Sequence, residues 1–332
     1  MSASTGAILP DNARVFVAGG AGMAGSAIVD ALLRRRPRRR VRASYRTTAP
    51  AVVDERVEHV ALDLSDTSAL RAALTGCDAA VLAASESGGI GMLAREPWRQ
   101  VRPNLVLAAT WLEALHDTGV RRAVFVGSAT CYQPFDGAIR EDELDWNQDP
   151  SPEAFGIGWV MRAAEKLCEF WSQSTGLEVV RVRAANIYGP RARFDPARSN
   201  FIPALIRKAA EGLDPFEVWG PPDVTRDIIY SRDFGEAVAR LLDTPGIGGQ
   251  VFNVGSGRSV SVGDVVKAVL RAARHEEARV VYSAAGPASS RSRVLNTDRL
   301  TQTLQWQPPT SLDDGVEQTL RWWLEHRSTW PR

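Results

Sequence analysis

Three glycines carry the clearest chemical signal in the chain. Gly19-x-x-Gly22-x-x-Gly25 suits the seating of a pyrophosphate. Glycine's permissive φ allows a tight turn, and a phosphate brought against the backbone leaves no room for a Cβ. Side chains able to move protons are scarcer. Of 40 lysines and arginines, only Lys166, Lys208 and Lys267 are lysines. There are five tyrosines (Tyr45, Tyr132, Tyr188, Tyr230, Tyr282) and four histidines (His59, His116, His275, His326). Cys77, Cys131 and Cys168 form no CxxC pair, which argues against a zinc site or a disulfide framework.

A phosphate-binding turn needs a strand before it and a helix after it, and both are written in the sequence. Residues 14–18 read as a short buried strand, and the residues after Gly22 repeat their apolar side chains at helical spacing. Met23 and Ala24 would open that helix and offer N–H groups and a positive dipole end to phosphate. Further strand-like runs lie at 41–45, 57–61, 79–83, 123–127 and 179–183, with helical patterns at 66–75, 100–118 and 160–175. This alternation predicts an α/β fold with a Rossmann-type doubly wound parallel sheet. After Asn186 come Pro- and Arg-rich connections with short helices, such as 202–212, which predict a smaller mixed C-terminal domain. The expected division is 13–188 with 225–258 returning to it, and 189–224 with 259–330 as the substrate-binding part. No internal repeat is visible.

The second strand bears on which dinucleotide is bound. An acid at its end would meet the ribose hydroxyls of NAD(H), whereas an arginine accommodates a 2′-phosphate. Here the strand ends Tyr45-Arg46. Arg46 is the candidate phosphate contact, which favours NADP(H) and leaves NAD(H) open. The competing reading makes Arg46 a surface loop residue.

Composition narrows the partners. In 332 residues, 40 basic side chains face 39 acidic ones for a net charge of +1. That balance gives no electrostatic reason to expect nucleic acid or an anionic membrane as partner. No run of eighteen apolar residues suggests a membrane span. The first twelve residues lack the pattern of a signal peptide, so a cytoplasmic protein is expected. The run 34–40 (RRRPRRR) could be a polyanion patch, but its place between a helix and a strand favours a solvated helix end stopped by Pro37.

The loop, then Asp63-Leu64, Ala83-Ala84 and Ser128, resembles the extended short-chain dehydrogenase/reductases, the NAD(P)-dependent epimerase/dehydratase family. Within it the chain looks most like the GDP-L-fucose synthase branch. The segments RVFVAGGAGMAGSAIV, AASESGGI, VFVGSATCY, KLCE, NIYGPRARF, NFIPALIRK, VWGPPDVTRDIIYSRDF, FNVGSG and LQWQPPTSLDDGVEQTLRWW carry that likeness over nearly the whole chain. The resemblance implies that Gly19, Gly22 and Gly25 hold the pyrophosphate and that Asp63 and Leu64 meet the adenine. Ala83 and Ala84 would pass the ribose or nicotinamide. It further implies that Ser128, with Thr130 beside it, meets the reacting sugar oxygen, and that Asn186, Asn200 and Arg226 line a nucleotide-sugar cleft. An arginine also suits a diphosphate on its own chemistry. An ion pair of Arg226 with Asp227 or Asp233 is the structural alternative.

The family's catalytic pair is Tyr-x-x-x-Lys, and no such pair exists anywhere in the sequence. In the segment that should carry it, Phe155 stands at the tyrosine position and Trp159 at the lysine position. The proton-moving cysteine and histidine of the fucose synthase branch correspond to Thr130 and Asn200. The Asp-Glu pair of the dehydratase branch is also absent after Ser128. General acid–base catalysis contributes about 10²–10⁴-fold, so ketoreduction run as in the family should be badly impaired unless another group takes over: Thr130, Cys131, Tyr132, Glu86 and Glu153 are candidates. Trp159 could stack on a nicotinamide or substrate face, or fill volume.

Three functions follow as expectations. The first is a nucleotide-sugar enzyme using NADP(H) with a rewired proton path. The second is a family member repurposed for non-redox chemistry, and the third is an inactive homologue that binds nucleotide or nucleotide sugar. By the resemblance, helices near 100–118 and 155–175 would pair two copies into a homodimer.

Overall fold

The computed structural model describes residues 9–50, 52–88, 90–196, 198–283 and 292–328. Seven parallel strands form the main sheet: β1 (Arg14–Ala18), β2 (Arg40–Tyr45), β3 (Val57–Ala61), β4 (Ala79–Leu82), β5 (Arg122–Ser128), β6 (Glu178–Ala184) and β7 (Val251–Val254). Their order across the sheet is β7-β6-β5-β4-β1-β2-β3, so the chain reverses direction between β1 and β4. In such sheets the ligand crevice opens at that switch point, beyond the C-terminal ends of the strands.

Near-continuous apolar runs in β1, β4 and β5 follow from their position, because helices cover both faces. On one face α1 (Met23–Arg35) lies against the helix Ser231–Asp243; on the other lie α2 (Thr67–Leu74), α3 (Val101–Thr118) and α4 (Phe155–Thr175). Val15, Val17, Ile28, Leu32, Phe234 and Phe252 fill the first core, and Phe16, Leu70, Trp111, Leu115 and Cys168 the second. The helix-forming pattern at 160–175 is extended by a full turn at its start. Pro152, in the short turn Pro152–Ala154 ahead of Phe155, supplies a rigid entry to α4.

The second lobe has its own core, which includes Tyr188, Phe194, Ile206, Phe216, Val265 and Val316. It contains α5 (Phe201–Ala210) and the helices Val262–Ala272 and Leu312–His326. A small mixed sheet orders Val260–Ser261, Thr225–Arg226, Arg293–Leu295 and Gly137–Ile139. Thr225–Arg226 therefore belongs to this mixed sheet, while Ile228–Tyr230 pairs with Asn186–Tyr188. Strands of two or three residues carry no periodicity, so the sequence does not announce them.

The arginine run differs from expectation. Pro37 does follow the end of α1 and Arg34, Arg38 and Arg40 are exposed, but the rest of the run is engaged. Arg39 is fully buried, with Nη1 2.6 Å from Asp243 Oδ1. Arg35 pairs with Glu236 at 2.9 Å, and Arg36 with Asp11 at 2.9 Å. The run thus locks α1 to the helix Ser231–Asp243, which returns late in sequence to cover the same face.

Removing one partner of a buried ion pair leaves the other charge desolvated, at a cost of about 3–5 kcal/mol. Asp243→Ala should lower unfolding stability by about that amount in urea titration. A change below about 1 kcal/mol, the range of exposed pairs, would show that Arg39 finds water instead.

Candidate functional site

The C-terminal edge of the main sheet gathers the glycine loop and its neighbours. The loop closes on itself by a bond from the Gly22 N–H to the Gly19 carbonyl, 3.0 Å, and the Gly19 N–H donates to Ser44 Oγ of β2, 2.9 Å. Gly19 holds φ +79°, and a Cβ there would meet Ala84 at 2.9 Å. A Cβ on Gly25 would fall 2.0 Å from the Gly19 carbonyl oxygen, so α1 reaches the loop only with glycine at that position. Gly22 is different. It is exposed, with φ −73°, and the nearest atom to an added Cβ is the Gly19 oxygen at 3.4 Å. The space over Gly22 is open, and the first turn of α1, starting Met23-Ala24, carries no acidic side chain to oppose an anion. A pyrophosphate fits this cradle.

Around it, Ala83 and Ala84 follow β4, Arg46 follows β2, and Asp63 and Leu64 follow β3. Asp63 Oδ1 accepts from the Ser65 N–H (2.9 Å) and hydroxyl (2.8 Å). Those bonds, and secondarily the charge of Arg46, hold its carboxyl below the usual range. All the cofactor residues expected from sequence therefore lie along one edge.

At the end of β5, Ser128 Oγ accepts the Thr130 N–H at 3.2 Å and caps the short turn Ala129–Cys131. The Thr130 hydroxyl oxygen is buried with no hydrogen-bond partner among the described residues. α4 lies directly against this turn: a Cβ on Gly158 would stand 2.6 Å from the Thr130 carbonyl. Its rotation is set by a buried polar network. Arg183 of β6 makes two bonds to Glu165 of α4, 2.8 and 2.7 Å, and one to the Tyr132 hydroxyl, 2.9 Å. The Tyr132 hydroxyl donates to Asn253 Oδ1 of β7 at 2.8 Å, and Arg162 Nε donates to the Cys131 carbonyl at 2.6 Å.

That rotation gives Phe155 and Trp159 an exposed position. Both belong to the outward stripe of α4, 51% and 38% exposed, together with Phe170 at 58%. The Trp159 indole donates to Asp149 (3.1 Å), and the Arg162 guanidinium lies 4.9 Å from its ring centre. The inward stripe is Ile157, Met161, Ala164 and Cys168, none more than 8% exposed. Ile157 and Met161 belong to the same buried cluster as Cys131 and Tyr132, near the turn that follows Ser128. They share the four-residue spacing of Phe155 and Trp159 but sit two residues, about 200°, around the helix.

The other candidate proton carriers are engaged. Burial pushes the Cys131 and Tyr132 pKa values up. Glu86 pairs with Arg198 at 2.7 Å, and Glu153 pairs with Arg293.

On the substrate side, half-buried Arg226 lies beside Arg293 in parallel register. Burial, then Arg293, pushes its pKa down to about 10. Asp227 and Asp233 are engaged by main-chain donors. Asp227 accepts from the N–H groups of Ser256 (2.8 Å), Gly257 (3.2 Å) and Leu295 (3.2 Å), and Asp233 from that of Thr310 (2.9 Å). Asn186 Nδ2 donates to the Asp227 carbonyl at 3.0 Å, and exposed Asn200 precedes α5. Arg193, Arg198 and Arg293 were not singled out in the sequence, because a guanidinium's destination depends on long-range packing.

A parallel doubly wound sheet with an open glycine cradle at its switch point defines a dinucleotide-binding protein. Residues 15–255 match the NAD dependent epimerase/dehydratase family, and the chain belongs to it. GDP-L-fucose synthase of Sinorhizobium fredii is 30% identical over 93% of this chain and 94% of its own length. The dTDP-4-dehydro-6-deoxy-D-allose reductase of Streptomyces bikiniensis is 29% identical, covering 94% of this chain and 96% of its own. Among solved structures, MoeE5 in complex with UDP-glucose and NAD superposes with a TM-score of 0.79 and 27% identity, over 95% of this chain and 99% of its own. Family members use a nicotinamide dinucleotide, and these relatives act on or bind nucleotide sugars.

Two predictions follow from this geometry. Gly22→Ala should cost less than about 1 kcal/mol of stability yet weaken dinucleotide binding at least about tenfold, since its Cβ enters the phosphate space. Fluorescence titration with NADPH beside a thermal melt checks both halves, and unchanged affinity would mean that the phosphate lies elsewhere. Burial also pushes the Asp227 carboxyl up to about 6 from 3.8. Its folded form keeps the proton that an unfolded chain loses near pH 4, so its contribution to stability falls as pH rises through 6. Carbon-detected NMR should show Asp227 titrating near 6, and a value below 4 would contradict this.

Proposed function

We propose that the chain is an NADP(H)-binding enzyme of nucleotide-sugar modification, epimerase/reductase-like, acting on a GDP- or other NDP-deoxyhexose through a non-standard active site. One observation carries this reading. Arg226, half-buried and pressed by Arg293, stands in the second lobe of a chain whose first lobe keeps an open dinucleotide cradle. A diphosphate answers a guanidinium with two parallel charge-assisted bonds and relieves the repulsion between the two arginines. Arg46, at the end of β2, supports NADP(H) over NAD(H).

In this reading the glycine loop seats the cofactor and Arg226 holds the diphosphate of the substrate. Ser128 offers its hydroxyl to the sugar oxygen, with the Thr130 hydroxyl, which has no partner among the described residues, two residues on. When bound, the nicotinamide supplies hydride exchange. Ile157 and Met161 line the turn where the family's tyrosine and lysine would act. Neither has a titratable proton, and methionine offers no cation for ribose hydroxyls. Proton transfer then falls to weakly acidic hydroxyls, which favours a slow redox reaction or non-redox chemistry.

A second reading, a catalytically silent nucleotide-sugar binder, is favoured by the engagement of Tyr132, Glu86 and Glu153 in other bonds. The exposed Leu105 and Val106 of α3 and Phe170 of α4 support a homodimer through these helices, in the cytoplasm.

Arg226→Ala should weaken GDP-, UDP- or dTDP-sugar binding at least about tenfold in calorimetry; unchanged affinity would remove the substrate half of the reading. Ile157→Tyr with Met161→Lys should create NADPH-dependent reduction of a 4-keto-6-deoxyhexose nucleotide. Phe155→Tyr with Trp159→Lys should not. The reverse outcome would place the lost pair on the outward stripe, and inactivity of both would favour the silent binder.

A further inference from the structure

Arg193 belongs to the second lobe by its neighbours but not by its reach. Phe194, next to it, is 1% exposed and stacks on Trp323 with ring centres 4.2 Å apart and planes 15° from parallel. The Ser199 hydroxyl donates to the Arg193 carbonyl at 2.9 Å. From this fixed base the Arg193 guanidinium crosses to the first lobe and donates to the Ser87 carbonyl. Ser87 lies three residues past Ala84, the wall of the glycine loop. Five residues after Arg193, Arg198 makes the parallel crossing to Glu86.

The sheet order decides what Arg193 could hold. β1 feeds the glycine loop, with β2 on one side and β4 on the other. Arg46 extends β2, and Arg193 rests on the extension of β4. An anion over Gly22 lies between these two cations. Glu86 is already committed to Arg198, and Asp195 is the other carboxylate near Arg193. Burial, then Arg198, then Arg46 press the Arg193 pKa down against the pull of Glu86 and Asp195; a bound phosphate would relieve that.

We propose that Arg193 is a pyrophosphate clamp, reaching from the second lobe onto the dinucleotide seated by Gly19, Gly22 and Gly25. Phe194 positions it, so cofactor affinity depends on a residue outside the dinucleotide-binding lobe. The inference rests on the proposed reading of the cradle as an NAD(P) site. Arg193 and Arg46 divide the work: Arg193, on the β4 side, meets the phosphates common to both cofactors, and Arg46, past β2, meets the 2′-phosphate.

The test is equilibrium binding of NADPH and NADH by fluorescence to the wild type, Arg193→Ala and Arg46→Ala, with thermal melts to confirm folding. Arg193→Ala should weaken both cofactors alike, about ten- to a hundredfold for loss of a charged hydrogen-bond pair. Arg46→Ala should weaken NADPH alone. Equal affinity of Arg193→Ala and wild type for both cofactors would overturn the clamp, as would loss confined to NADPH, which would move Arg193 to the 2′-phosphate. A wild type that binds neither cofactor would overturn the cradle reading itself, and the clamp with it.

Discussion

The bidentate pair between Glu165 and Arg183 sets the rotation of α4, and much of the site depends on that rotation. Both residues are almost fully buried, where an ion pair is tolerated only with good geometry and with its remaining donors satisfied. Arg183 meets that condition by bonding the Tyr132 hydroxyl and the Glu141 carbonyl as well. One guanidinium thereby ties together β6, α4, the turn after β5 and, through Tyr132 and Asn253, β7. With the helix held there, Ile157 and Met161 face the turn after Ser128, and Phe155 and Trp159 face outward.

This arrangement separates two properties that usually travel together in a dinucleotide enzyme. The backbone around the turn is closely fitted: Gly158 lets α4 approach the Thr130 carbonyl, and Ser128 caps the turn. The α4 side chains clustered with that turn, Ile157 and Met161, are apolar. The open space over Gly22 and the half-buried guanidinium of Arg226 suit anions, while Ile157 and Met161 carry no titratable proton. On the proposed reading, such a chain keeps a ligand-binding surface without the family's acid–base pair.

The sequence was legible wherever local pattern determines structure. Strand and helix runs of five or more residues declare themselves by burial and period, and the glycine loop declares itself by the backbone conformations it needs. Legibility fails where a residue's role depends on distant partners. Arg39 reads as a solvent residue because its partner Asp243 lies 204 positions away. Arg193 reads as loop because Ser87 is 106 positions away. Phe155 and Trp159 satisfy the spacing rule as well as Ile157 and Met161 do. A rule of spacing cannot distinguish two stripes of one helix unless an inward-facing residue such as Glu165 sets the phase.

The burial of Arg39 against Asp243 has a consequence for how the chain comes to be folded. During synthesis the first βαβ units emerge long before the helix Ser231–Asp243, so α1 waits with a cationic end and an uncovered apolar face. Its cover, and the edge strand β7, arrive only after the intervening second-lobe residues have been made. Folding of the first lobe is then tied to late, high-contact-order closure rather than to vectorial completion from the N-terminus. The incomplete chain carries that apolar surface beside a cluster of like charges, and such repulsion opposes self-association.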